Sequence, residues 1–236
     1  MTESMAQAAL GIVEMANKPL RHPGNLGNPA TFGYPVVYAG AATAFTDRIL
    51  NRDPAVAADY VRQGERLQEQ GIKALLTTCG FNIAYQTEIA RRLPVPVATS
   101  SLLLLPLLLR LVSVDRIVGV ITFDQKQLDP TLLTLAGVTE SDLARLKILG
   151  LDGTRTWHEL RKPEPELPLD AIGDDLMASI RRLVSETPTL GGILLECSAL
   201  CPFSPRIRAE TGLPVLDFVS LANVLQASVA DLKPFA

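Results

Sequence analysis

The sequence predicts an α/β protein of two pseudo-symmetric lobes, each a parallel sheet flanked by helices. Two observations predict it. Short apolar runs alternate with helical patterns along the chain, as expected of parallel strands covered by helices. The chain also repeats itself. Shifted by 118 positions without a gap, Leu76 meets Leu194, Cys79 meets Cys197, Ile89 meets Ile207, Pro96 meets Pro214 and Val97 meets Val215. Leu103 and Leu107 then meet Leu221 and Leu225. The lobes are expected over 1–113, with Cys79, and 114–220, with Cys197, and a closing helix over 219–236 is expected to pack back on the first.

Leu10–Met15 reads as the first strand, followed by a Gly/Pro/Asn loop over 17–32 and a second strand, Tyr34–Tyr38. Asp53 before Pro54 is an N-cap with proline at the first helical position; it opens a helix to about Gln70 that Gly71 ends. The first cysteine unit is a strand ending at Cys79, a helix over 82–93 and a strand Val95–Thr99, and the leucine-rich helix follows it. Arg116–Phe123 opens the second half as Leu10–Met15 opens the first. Helices are expected near Pro130–Ala136, Ser141–Leu146 and Asp170–Ser185, with a Pro/Glu-rich loop over 162–168. The second cysteine unit, a strand Pro214–Phe218 and the closing helix complete the chain.

Composition narrows the function. With 236 residues, 47% of them hydrophobic, the chain has ample material for a core. A net charge of −3 without a basic run argues against nucleic acid as a partner. The apolar run Leu102–Leu109 carries Pro106 and is closed by Arg110, well short of the roughly 20 residues that span a bilayer, so no membrane partner is expected. The start, 1–7, lacks the basic and apolar stretches of a signal peptide, and three cysteines without such a signal point to reduced thiols in the cytoplasm. Two histidines and no Cys-x-x-Cys spacing argue against a metal site.

The chemistry rests on where the cysteines fall. In open parallel sheets ligands bind beyond the carboxyl ends of strands, and both thiols sit there, just before a helix. Backbone N–H groups and the helix dipole at that point favour a thiolate and can hold a carboxylate. If the lobes face each other, Cys79 and Cys197 would address opposite faces of one carbon in a small anionic substrate. One thiolate would remove a proton next to a carbonyl and the opposing thiol would deliver one, inverting the centre without a cofactor.

Around the thiols, Thr78 and Glu196 precede them as mates in the repeat, and strand alternation turns Glu196 away from Cys197. Gly80 and Ser198 follow them and could offer N–H groups to a carboxylate, while Phe81 adds apolar surface. Ser100 and Ser101 read as N-caps of the leucine helix first and ligand contacts second. Thr122 ends a strand at the same edge. Asn28 lies in the long loop, where an amide could hold a carboxylate or simply form a turn before proline. Glu14 could be an acid partner, Arg21 and His22 could face an anion from a lid, and Cys201, whose mate is Ile83, reads as packing.

Thr77-Thr-Cys-Gly-Phe81, Leu195-Glu-Cys-Ser198, Thr-Gly-Leu-Pro-Val at 211–215 and Gly27-Asn-Pro-Ala-Thr-Phe32 resemble the aspartate/glutamate/hydantoin racemase superfamily over almost the whole chain. The resemblance implies a cofactor-independent two-base racemase or epimerase acting on an amino acid, a hydantoin or a related small acid. It maps the catalytic thiols onto Cys79 and Cys197 and implies a homodimer or higher homo-oligomer. Amino-acid racemases of the superfamily often have Cys-Asn-Thr and Cys-Thr-His here. Cys79-Gly-Phe and Cys197-Ser-Ala point instead to a hydantoin or another cyclic or apolar-substituted acid. The alternatives are a maleate isomerase- or decarboxylase-like member of the superfamily, or a catalytically silent small-acid-binding protein.

Overall fold

The computed structural model describes residues 9–230; the start read over 1–7 and the last positions of the closing helix, 231–236, lie outside the described residues. The chain runs β1 (Leu10–Glu14), β2 (Val36–Gly40), α1 (Thr46–Leu50), α2 (Pro54–Glu69), β3 (Ala74–Thr77), α3 (Gln86–Arg92), β4 (Val97–Ala98) and α4 (Leu105–Leu111). It continues through β5 (Ile117–Thr122), α5 (Pro130–Leu135), α6 (Glu140–Leu143), β6 (Leu146–Gly150), α7 (Arg155–Leu160), α8 (Leu169–Glu186), β7 (Leu190–Leu195), α9 (Ser204–Thr211), β8 (Val215–Leu216) and α10 (Phe218–Val229). Two four-stranded parallel sheets result, ordered β2-β1-β3-β4 and β6-β5-β7-β8.

The repeat holds at the level of single hydrogen bonds. Leu75 and Leu76 pair with Val97 and Ala98; 118 positions on, Ile193 and Leu194 pair with Val215 and Leu216. Leu75 N donates to Pro96 O and Ile193 N to Pro214 O, both at 2.9 Å. Asn82 N closes onto Cys79 O and Leu200 N onto Cys197 O, at 3.0 and 3.1 Å.

Strand alternation distributes the core. On β5 and β7, Val118, Val120 and Leu194 face the cluster shared with the first lobe, while Ile121, Ile193 and Leu195 face the outer layer. That layer is α8, whose Ile172, Leu176, Ile180 and Leu183 form one stripe at helical spacing. Gly119 lets α8 lie close, since a Cβ there would stand 2.4 Å from the Leu183 side chain. Pro54 sits at the first position of α2, with the Asp53 carboxylate accepting from Ala55 N at 2.9 Å. Helix α10 packs against β1 and β3 of the first sheet as well as β8 of its own.

Several elements differ from the sequence expectation. Each cysteine is followed by a 3₁₀ turn, Gly80–Tyr85 or Ser198–Phe203, before its α-helix begins. Pro202 inside the second turn has no N–H for an α-helical bond. The helix expected over 141–146 ends at Leu143, and Leu146 opens the edge strand β6. The short helices α1 and α7 were not anticipated.

Candidate active site

Each sheet reverses its winding between its first and third strands, and ligand crevices form at such switch points. The carboxyl ends of β1 and β3 bring Glu14, Met15, Thr78 and Cys79 to this edge; those of β5 and β7 bring Phe123, Glu196, Cys197 and Ser198. All of these line one cavity of about 100 Å³. Phe81, Leu26, Leu50 and Leu160 add apolar walls, and Lys18 adds a cation.

The two cysteine motifs interlock. Ser198 Oγ donates to Thr78 O at 2.6 Å, and Thr78 Oγ1 accepts from Met15 N at 3.2 Å. Ser101 Oγ donates to Leu195 O at 2.9 Å and to Glu196 O at 3.2 Å. Thr122 Oγ1 and Phe123 N donate to Glu196 Oε2, both at 3.0 Å.

Both thiols are half-buried in the cavity wall, and burial dominates their acidity. Burial pushes Cys79 up to about 12, and the nearby Glu196 carboxylate pushes the same way; the N–H groups of Phe81 and Asn82 pull it down only in part. Burial and Glu196 likewise hold Cys197 well above the usual thiol range, against the N–H of Ala199. The backbone N–H groups thus act in the expected direction, and burial together with the Glu196 charge outweighs them. Glu196 is pushed up to about 7 by burial, with the Asp124 charge adding to it and the Phe123 and Thr122 hydrogen bonds opposing it.

The loop over 17–32 roofs the cavity and ties the lobes together. Asn17 Nδ2 donates to Lys162 O at 2.7 Å and Lys18 N to Pro163 O at 2.7 Å. Asn25 Nδ2 reaches Ser198 O at 3.3 Å and Ala199 O at 3.4 Å, over the Cys197 turn. Arg21 is held by Glu14 in a two-pronged ion pair at 2.8 and 2.9 Å and also donates to Gly27 O.

Of the residues singled out in the sequence, Cys79, Cys197, Glu14, Thr78, Phe81, Glu196 and Ser198 line the cavity. Gly80 and Thr122 lie directly behind it, in contact with Glu196. Ser100 is buried, its hydroxyl capping the next turn by accepting from Leu102 N at 3.1 Å. Asn28 is not on the cavity wall; its side chain accepts from Ala30 N and donates to Arg21 O, both at 3.0 Å, which is the turn-forming role. Asn17, Lys18, Asn25 and Phe123 were not anticipated. Among the described residues no group of three or more His, Cys, Asp or Glu is arranged for a metal, and no helix is long and apolar enough to cross a membrane.

Fold and site together define a two-lobed α/β protein of the Asp/Glu racemase-like class with paired thiols. Among solved structures, allantoin racemase from Klebsiella pneumoniae superposes with a TM-score of 0.62 at 18% identity, covering 94% of this chain and 88% of that one. Unliganded arylmalonate decarboxylase gives 0.58 at 18% identity, covering 97% and 95%. No family model matches the chain. In sequence, a protein of Durusdinium sp. clade D named dimethylsulfoniopropionate lyase is 30% identical over 239 residues, 98% of this chain and 78% of its own length. Dimethylsulfoniopropionate lyase 5 of Emiliania huxleyi is 30% identical over 190 residues, 72% of this chain but only 36% of that protein. The chain belongs to the family of the Durusdinium protein named dimethylsulfoniopropionate lyase, and its fold is that of the Asp/Glu racemase-like structures.

Proposed function

We propose that this chain is a cofactor-independent enzyme that draws the α-proton from a small carboxylate, and that it eliminates the β-substituent of a propionate of the dimethylsulfoniopropionate kind. The observation that carries this reading is that two thiols, on equivalent turns of equivalent lobes, wall a single cavity. A thiolate takes the Cα proton, and the C–H electron pair becomes the Cα–Cβ double bond. The Cβ–S bond breaks with its pair leaving on sulfur. Dimethylsulfoniopropionate would give acrylate and neutral dimethyl sulfide, and the thiol would then return its proton to water.

The kinship with proteins named as lyases of this compound supports the choice. So do the walls. Phe81 and Phe123 suit the methyl groups and charge of a sulfonium, with the Glu14 and Glu196 carboxylates nearby, and Lys18 suits the substrate carboxylate.

A second reading, racemisation or epimerisation of an amino acid, hydantoin or related small acid, is favoured by the equivalence of Cys79 and Cys197 under the 118-residue repeat. The same first step is then followed by protonation from the opposite thiol.

Proton NMR in D₂O separates the two. Vinyl signals of acrylate from dimethylsulfoniopropionate mean elimination. Cα–H loss from a hydantoin or amino acid without vinyl signals means racemisation. Neither signal across such a panel would end both readings.

A further inference from the structure

Glu196 is 1% exposed, and only one of its carboxylate oxygens is partnered. Oε2 takes the Thr122 and Phe123 hydrogen bonds, whereas Oε1 is buried with no partner. That free oxygen lies against the turn that opens at Cys79, where a Cβ on Gly80 would strike it. Cys197 is the next residue in the chain. A buried polar atom without a partner is uncommon and calls for a reason.

We propose that Glu196 is the internal proton acceptor that charges the thiols: its free Oε1 takes the S–H proton of Cys79 or Cys197 before turnover and returns it afterwards. The inference rests on the thiol-base reading given above. In the step the S–H bond breaks with its electron pair left on sulfur, and an O–H bond forms on the carboxylate. The negative charge moves from oxygen to sulfur, so the cavity never holds both. Losing the thiol proton to bulk water would instead leave two buried anions side by side, which a low-dielectric site opposes strongly.

The two groups are coupled: the thiol is the weaker acid, so the thiolate beside a protonated Glu196 is the minor form of the shared-proton state and is drawn on in turnover. Burial holds the Glu196 carboxyl at about 7, so it can carry a proton at neutral pH, and its charged form is one cause of the raised thiols. The groups around it do not supply a rival acceptor. Asp124, at the end of β5, is bonded by Trp157 Nε1 at 3.0 Å and approached by Arg161 at 3.8 Å. Across the cavity Glu14 is committed to Arg21, and Lys18 is a cation.

The test measures alkylation of Cys79 and Cys197 by iodoacetamide against pH, peptide by peptide, alongside turnover. With Glu196 present the rate shows a step near pH 7, where the shared proton leaves, then a plateau, then a second rise in the alkaline range. Glu196→Gln abolishes the step and leaves only the alkaline rise, and it lowers kcat at least tenfold with little change in KM. Cys201, 3% exposed, stays unmodified and reports that the fold is intact. Should Glu196→Gln fail to fold, Thr122→Val removes an Oε2 partner and moves the step to higher pH. A wild-type profile without the step, or a step that survives Glu196→Gln, overturns the proposal. A step that depends on Glu196 in a protein that turns over none of the candidate substrates upholds the relay and overturns the proposed reaction instead.

Discussion

Gly80 seats the carboxyl group of Glu196 across the two halves of the repeat. A Cβ at position 80 would stand 2.5 Å from Glu196 Cδ and 2.5 Å from its backbone oxygen, and closer still to Oε1. The residue after the first thiol thus lies against the residue before the second. Position 80 has an ordinary backbone conformation, so glycine is needed for space and not for φ.

Gly80→Ala is therefore expected to act by collision. Neither neighbour is the loose end of a flexible chain, and forcing a methyl into such a site costs about 1–3 kcal/mol. The urea midpoint should fall accordingly, with activity falling further because both thiol-bearing turns must shift. Gly40→Ala, where no heavy atom lies within 4 Å of the new Cβ, is the control and should stay within about 0.5 kcal/mol. Equal effects of the two substitutions would remove the steric argument.

Glu196 also gives stability a pH dependence of defined sign. Its carboxyl is raised from 4.5 to about 7 in the folded protein, mainly by burial. Between those values the folded chain holds a proton that the unfolded chain has released. Unfolding free energy must then fall as pH rises through that window, by about 3 kcal/mol in all, and level off above it. Carboxylates lowered by their partners, such as Asp142 beside Arg110, slope the other way, so the quantity to read is wild type minus Glu196→Gln. Denaturant titrations from about pH 4 to about pH 9 should show that difference confined to the window.

What was legible in the sequence follows from what the repeat constrains. From Leu75 to Leu104 the two halves align without a gap because the 3₁₀ turns and the short strands β4 and β8 have equal lengths in both and the turns start at the same offset from each cysteine, down to the Pro96 and Pro214 carbonyls. Edge strand β6 left little signal: it is mostly half-buried and carries Lys147, so its pattern blends into the helix before it. Helix α7 is one and a half turns of mixed polarity. Asn25 was missed because its partners are main-chain oxygens more than 170 residues away, which leave no residue type to recognise.

The thiols separate the two proposed reactions. Elimination needs one base, so one of Cys79→Ser and Cys197→Ser should lose about 10²–10⁴-fold in rate while the other loses much less. Racemisation needs both. Either variant would then stop interconversion of enantiomers, and each would still exchange the α-proton of one hand only. Chiral chromatography with deuterium counting by mass spectrometry distinguishes these patterns, and full activity in both variants would dismiss the thiols as catalysts.

The roof of the cavity should control affinity more than chemistry. Asn25 is 3% exposed and spans from the loop to the Ser198 and Ala199 carbonyls, while its own backbone oxygen accepts from Thr31 Oγ1 at 2.6 Å. Beside it Gly24 adopts φ +90°, with Pro202 of the second turn 3.0 Å from where a Cβ would be, so the loop tip is fitted to the Cys197 turn. No atom of Asn25 is needed for proton transfer. Its contribution is to keep the loop closed over bound substrate, and one hydrogen-bonded side chain of this kind is worth about 1 kcal/mol. Asn25→Ala should therefore raise KM about fivefold while kcat changes less than twofold. Steady-state kinetics on the substrate identified by NMR decides the point: a fall in kcat at constant KM would mean that the loop positions the thiols, not the ligand.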